Sequence, residues 1–212
     1  MDNFYNQINK LRLNKIYSYI INTNPSSNLP YHNTFHLEHV CQFSLLGADF
    51  YNLSNDDKKI LATAALFHDY NHTGSGKNDD ININNAIEGF LKFNSNDKVE
   101  KFKEFNFNKK EMDIIINLIK STRYPYITEC DTLMEKILRD SDVLQGPFCQ
   151  NYINGVVFGI AKENNIPFEK MIDGQVSFLK SMKFNTDWAN DLYKKILPQT
   201  INKVEEAMLL FK

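Results

Sequence analysis

Apolar residues recur along this chain at the three- and four-residue spacing of helices that bury one face. Ile8, Leu11, Ile16, Tyr19 and Ile20 predict a first helix ending near Asn22, and Phe35, Val40, Phe43, Leu45, Leu46 and Phe50 predict a second over about 33–51. Leu53-Ser54-Asn55-Asp56-Asp57 reads as a helix start, because acidic groups in a first turn complement the positive end of the helix dipole. Ile60, Leu61, Ala64, Ala65 and Phe67 continue that helix into Phe67-His68-Asp69, and the turn-forming Asn71-His72-Thr73-Gly74-Ser75-Gly76 stops it. Further helices are expected at about 80–93, 109–120, 131–142, 147–164, 168–183 and 187–210, with Pro198 kinking the last. No two-residue alternation persists, and neither repeats nor a linker divide the chain. The expectation is one all-α domain over residues 1–212.

Composition narrows the possible partners. The chain is 42% hydrophobic and 24% charged, with a formal net charge of −2, so no basic surplus invites a nucleic-acid backbone or an anionic membrane. Cys41, Cys130 and Cys149 are odd in number and widely spaced, which argues against a disulfide framework and for a reducing compartment, expected to be the cytoplasm. The opening MDNFYNQINK carries no apolar run of signal-peptide type. The uncharged stretch from Val143 to Ala161 is broken by Gln145, Pro147, Gln150, Asn151 and Asn154, too often for a membrane span. Trp188 is expected to pack between helices, Phe102, Phe105 and Phe107 to pack in a connecting segment, and Arg123 to be a solvated turn residue.

The histidines carry the chemistry. All five, His32, His36, His39, His68 and His72, fall between residues 32 and 72. Clustered imidazoles with carboxylates nearby are what a metal site requires. His32 and His36 share a face if the helix has begun by then, and His39 either joins them or stays at the surface. Asp69 follows an apolar helix, where its charge meets the negative helix end at a cost of roughly 0.3–1 kcal/mol. A cation reverses that balance. Asp140 and Asp142 close a later apolar helix; only one of them is expected to ligate, since residues two apart do not share a helix face. A mixed N/O set of this kind suits Zn²⁺, Mn²⁺, Fe²⁺ or Mg²⁺. Asp69 has a second oxygen with which to bridge to a further ion, and two ions sharing a hydroxide supply a nucleophile at neutral pH. His32 is placed to protonate a leaving alkoxide.

His36, then His68-Asp69, then the distant Asp142 resembles the signature of HD-domain metal-dependent phosphohydrolases. Tyr31-His32-Asn33-Thr34-Phe35-His36 resembles the YHNxxH motif of class I cyclic-nucleotide phosphodiesterases, and Phe67-His68-Asp69-Tyr70-Asn71-His72-Thr73-Gly74 resembles their HDxDHxG motif. Gln175-Val176-Ser177-Phe178 resembles the QxxF segment that holds the purine, so the likeness spans about residues 30–185. It implies a compact all-α HD-type domain in which His36, His68, Asp69 and Asp142 bind a first metal, usually zinc. Asp69 bridges to a second, usually magnesium or manganese. It further implies His32 as general acid and His72 beside the metals' water. Gln175 meets the base edge, Phe178 its face, and Gln145 stands where an Asn often reaches the base. Tyr31 is a candidate for the pocket wall. The chain departs from the pattern at Asn71 and His39, where the family usually has Asp, and it is much shorter than a typical catalytic domain of this class. The implied reaction is hydrolysis of the 3′ ester of a purine 3′,5′-cyclic nucleotide. Two alternatives stand beside it: an HD hydrolase of another nucleotide, which needs only the four ligands, and a non-catalytic nucleotide binder.

Overall fold

The computed structural model describes residues 4–77, 79–95 and 107–210, and among them every regular element is helical. The expectation for Phe102 and Phe105 lies outside the described residues; Phe107 is buried, as expected of a core contact. The opening helix is two helices, α1 (Phe4–Lys10) and α2 (Asn14–Thr23). The chain breaks between them at Arg12, whose φ of 57° no helix tolerates. Helix α3 (Thr34–Phe50) is capped by Asn33, whose side chain accepts from the Phe35 and His36 amides, and α4 (Asn55–Phe67) by Ser54, which accepts from Asp57. Such caps satisfy amides that a helix start leaves unbonded, so the sequence fixes where both helices begin. Helices α5 (Asp79–Asn94) and α6 (Lys109–Ser121) follow, then α7 (Leu133–Phe148), which ends six residues beyond the 131–142 expected. Pro147 lies inside that extension, one residue before the helix ends, where it removes one hydrogen bond to the preceding turn.

After α7 the helices shorten. The expected 147–164 helix is a π-helical segment (Tyr152–Val157) running into α8 (Phe158–Glu163), and the expected 168–183 helix divides at Gly174 into α9 (Phe168–Asp173) and α10 (Gln175–Ser181). Helix α11 (Asp187–Leu209) then runs through Pro198 without ending there.

Two hydrophobic cores result. The first joins α1 to α7: α3 packs on α4 and α7, and α4 packs on α6. Phe67, fully buried at the end of α4, meets the Phe90 and Phe93 rings at 5.6 and 5.8 Å. Removing such a ring typically costs about 3–5 kcal/mol, so the residue before His68 is firmly held. The second core gathers the end of α7, the π-helical segment and α8 to α11; Trp188 belongs to it, as a packing residue should. Glycine permits two close approaches. A Cβ on Gly89 would lie 2.3 Å from the Tyr70 ring, and one on Gly159 would lie 3.0 Å from the Pro30 carbonyl oxygen. The second approach lays α8 against the segment carrying Tyr31 and His32. Among the described residues no helix is long and apolar enough to cross a membrane.

Candidate metal centre

His36 sits in the first turn of α3, His68 and Asp69 just beyond α4, and Asp142 in the third turn of α7. Helix packing brings the four together. His36 Nε2 lies 3.2 Å from His68 Nε2, 3.1 Å from Asp69 Oδ2 and 3.3 Å from Asp142 Oδ1. His68 Nε2 lies 3.3 Å from Asp69 Oδ2 and 3.5 Å from Asp142 Oδ1. Bonds of about 2.0–2.1 Å to one cation place its ligand atoms roughly 3.0–3.4 Å apart in octahedral or tetrahedral geometry, so this donor set fits a divalent ion. The imidazoles are 2% and 1% exposed, the Asp69 and Asp142 side chains 14% and 18%, so the centre is open to solvent on its carboxylate side.

The surroundings turn each ligand the right way. His68 Nδ1 is 2.7 Å from the Ala65 carbonyl, which only accepts, so Nδ1 carries the proton and the Nε2 lone pair faces the cluster. The Gln145 amide nitrogen lies 3.2 Å from His36 Nδ1 and 2.8 Å from the Tyr31 hydroxyl. An imidazole that binds a cation through Nε2 keeps its proton on Nδ1. Because amide oxygen and nitrogen have the same shape, a cation on His36 Nε2 would call for the amide turned over, its oxygen accepting from both His36 and Tyr31. Gln145 is only 3% exposed and is engaged inside the site. Asp142 and not Asp140 faces the cluster; Asp140 accepts from Asn185 and Thr186 and braces the start of α11.

Electrostatics in the protein alone follow from burial opposed by pairing. Burial disfavours charge on His36 and His68, but the Asp142 and Asp69 carboxylates outweigh it, raising His36 and holding His68 well above the usual range. Burial likewise opposes charge on Asp69 and Asp142, and the two imidazoles override it, leaving both carboxyls far below the usual range. The protons held between these groups are what a cation displaces on binding.

His32 lies just before α3, not on its face, and is fixed by a residue that the sequence did not single out. Glu163, at the end of α8, accepts from His32 Nδ1 at 2.5 Å with one oxygen and from the Tyr31 and His32 amides at 2.6 and 3.0 Å with the other. Burial alone would raise the Glu163 carboxyl, but these hydrogen bonds, led by His32, lower it. With Nδ1 turned to Glu163, Nε2 points toward Asp69 Oδ2 at 4.0 Å. The His72 ring stacks on His32 with centroids 3.8 Å apart. The Gly74 amide donates to His72 Nδ1, and the Asn82 amide lies 2.9 Å from Nε2. Burial lowers the His72 pKa to about 4, so His72 is neutral at pH 7. His32, His72 and Glu163 lie close enough to be considered for a second ion. Within this group His32 and Glu163 are hydrogen-bonded directly to each other, and the His72 nitrogens are engaged by Gly74 and Asn82.

The remaining candidates are not among the four converging donors. His39 is half-buried outside the cluster, where burial and then His36 lower its pKa. Gln175 is 9% exposed; its oxygen accepts from the Tyr152 hydroxyl and its nitrogen donates to the Met171 carbonyl. Phe178, one turn on, is 49% exposed. No hydrogen bond among the described residues joins either to the cluster. Arg123 pairs with Asp80 at 2.6 Å. Asn71 takes a φ of 59°, a conformation asparagine accommodates, and its amide donates to Asn24 Oδ1.

The HD-domain family model matches residues 36–146, just over half of the chain, and its ends fall on the first ligand and just beyond the last. The chain belongs to the HD-domain family. With its four donors converging, that membership points to a metal-dependent phosphohydrolase. No curated protein matches the chain.

Proposed function

We propose that the protein hydrolyses the 3′ phosphoester of a purine 3′,5′-cyclic nucleotide, cAMP or cGMP, to the 5′-monophosphate. The observation that carries this reading is the His32–Glu163 pair, which turns His32 Nδ1 to Glu163 and aims Nε2 at the carboxylate edge of the metal cluster. A diester needs a proton donor, because its leaving alkoxide is too basic to depart without a proton.

His36, His68, Asp69 and Asp142 would hold the first ion, for which zinc suits the donors, and Asp69 would also serve a second, magnesium or manganese. When bound, the cations supply a hydroxide nucleophile at neutral pH and neutralise charge on the phosphoryl oxygens. As the bond from phosphorus to O3′ breaks, His32 Nε2 gives its proton to O3′, and Glu163 keeps the imidazole in line throughout. His72 supports the His32 ring from its stacked face. Tyr31 and Gln145 steady His36, while Gln175 and Phe178 are assigned to the base edge and base face.

A second reading, hydrolysis of another nucleotide by the same centre, is favoured by one observation: both ends of the Gln175 amide are engaged by Tyr152 and Met171. A panel of cyclic mononucleotides, cyclic dinucleotides and linear nucleotides, with Zn²⁺, Mg²⁺ or Mn²⁺ added, separates the two. Turnover of cAMP or cGMP to the 5′-monophosphate is expected. Turnover of linear or cyclic oligonucleotides alone supports the second reading, and stoichiometric binding without turnover supports neither.

A further inference from the structure

The loop between α6 and α7 reaches over the metal cluster and delivers one side chain to it. The Tyr126 hydroxyl donates to Asp142 Oδ2 at 3.2 Å. The other oxygen of Asp142, Oδ1, faces His36 Nε2 and His68 Nε2 at 3.3 and 3.5 Å. One oxygen is therefore engaged by a phenol while the other belongs to the ligand set. Resting on the reading of this cluster as a metal centre, we propose that Tyr126 is a positioning residue that holds Asp142 as a one-oxygen ligand.

The way the loop is anchored supports this role. Arg139, one turn before Asp142 on α7 and 5% exposed, lays its guanidinium over the Tyr126 ring at 5.0 Å. Its Nε donates to the Ser121 carbonyl at 2.9 Å and its Nη1 to the Thr128 carbonyl at 2.7 Å, so one side chain grips the loop on both sides of Tyr126. From outside, the Tyr124 amide donates to Asp79 at 2.7 Å, and Arg123 pairs with Asp80. Asp79 also accepts from the Asn82 amide that touches His72, so the loop is tied to both flanks of the site. The physical consequence concerns rotation. An aspartate free to turn about its last bond presents one oxygen or two to a cation, whereas a donor fixed on Oδ2 leaves Oδ1 alone. Partners of this kind are worth 10–100-fold in metal affinity.

Tyr126→Phe tests the role, since it keeps the ring and the Arg139 contact and removes only the donor. Zinc affinity of the full chain, stripped and measured by competition with a chelating indicator, should fall roughly 10–100-fold while thermal unfolding of the metal-free protein is unchanged. The cobalt(II) derivative should lose visible absorption as Asp142 becomes free to add its second oxygen and raise the coordination number. In an Asp142→Asn background the same change should cost less than about twofold, because the partner on which Tyr126 acts is already altered. Equal zinc affinity in wild type and Tyr126→Phe, or a full tenfold loss in the Asp142→Asn background, overturns the proposal and leaves the metal reading standing. A wild-type chain that takes up no zinc refutes the metal reading itself.

Discussion

The two halves of the molecule are built differently. From α3 to α7 the helices run 13 to 17 residues, and Asn33, Ser54, Asn108 and Thr132 each cap a helix with a side-chain acceptor. From residue 149 to 181 the chain is a succession of six- and seven-residue pieces, and none of these has a side-chain cap. All four metal-ligand candidates come from the first half, while the residues assigned to the base come largely from the second. Long capped helices packed around rings such as Phe67 hold the ligand atoms in place. Short pieces are positioned by their neighbours, so the substrate end is defined by packing. Glu163 joins the halves: it stands on a short helix and aims a histidine at the centre held by the long ones.

Substitutions should follow that division. The largest effect is expected for Asp69→Ala, which removes a carboxylate of the candidate metal set and should take metal content and hydrolysis to background together. His32→Ala should lower kcat by roughly 10²–10⁴ with metal content unchanged. Glu163→Gln keeps a neutral acceptor in place of a charged one, and a smaller loss, roughly tenfold, is expected. Equal metal loss in Asp69→Ala and His32→Ala would erase the division between ligand and proton donor.

A third probe uses pH. His72 has a pKa of about 4 in the folded protein against 6.5 for an ordinary histidine. Above 6.5 both folded and unfolded states hold it neutral. Between 6.5 and about 4 only the unfolded state takes up the proton, so stability falls as pH falls, by up to about 1.4 kcal/mol per unit. In metal-free protein, His72→Gln should flatten the unfolding free energy over that window; an unchanged slope would show that burial does not hold His72 neutral. The smallest effect is expected at the substrate end. Gln175→Ala should raise KM for a purine cyclic nucleotide by about 2–10-fold, the worth of one hydrogen bond. An unchanged KM would remove Gln175 from the site.

What the sequence made legible follows the same divide. His36, His68 and Asp69 are readable because clustered imidazoles beside a carboxylate are what coordination chemistry requires, whereas Asp142 is separated from Asp140 only by the resemblance to HD proteins. Glu163 was invisible because it ends a helix 131 positions from His32 in a stretch with no other chemical signal. Tyr126 was overlooked beside Arg123, for nothing in Arg-Tyr-Pro-Tyr says which side chain turns inward. The breaks at Arg12 and Gly174, and the extension of α7 to Phe148, depend on backbone geometry that apolar spacing does not encode. Gln175 and Phe178 were placed by a short motif, and the engagement of Gln175 with Tyr152 is a product of folding that no motif reports.

The central claim is that one cation sits among four named atoms. Anomalous diffraction from zinc-loaded crystals measures this directly. The expected result is a peak within about 2.0–2.2 Å of His36 Nε2, His68 Nε2, Asp69 Oδ2 and Asp142 Oδ1. A peak among His32, His72 and Glu163 instead, or none near Asp142, would contradict it.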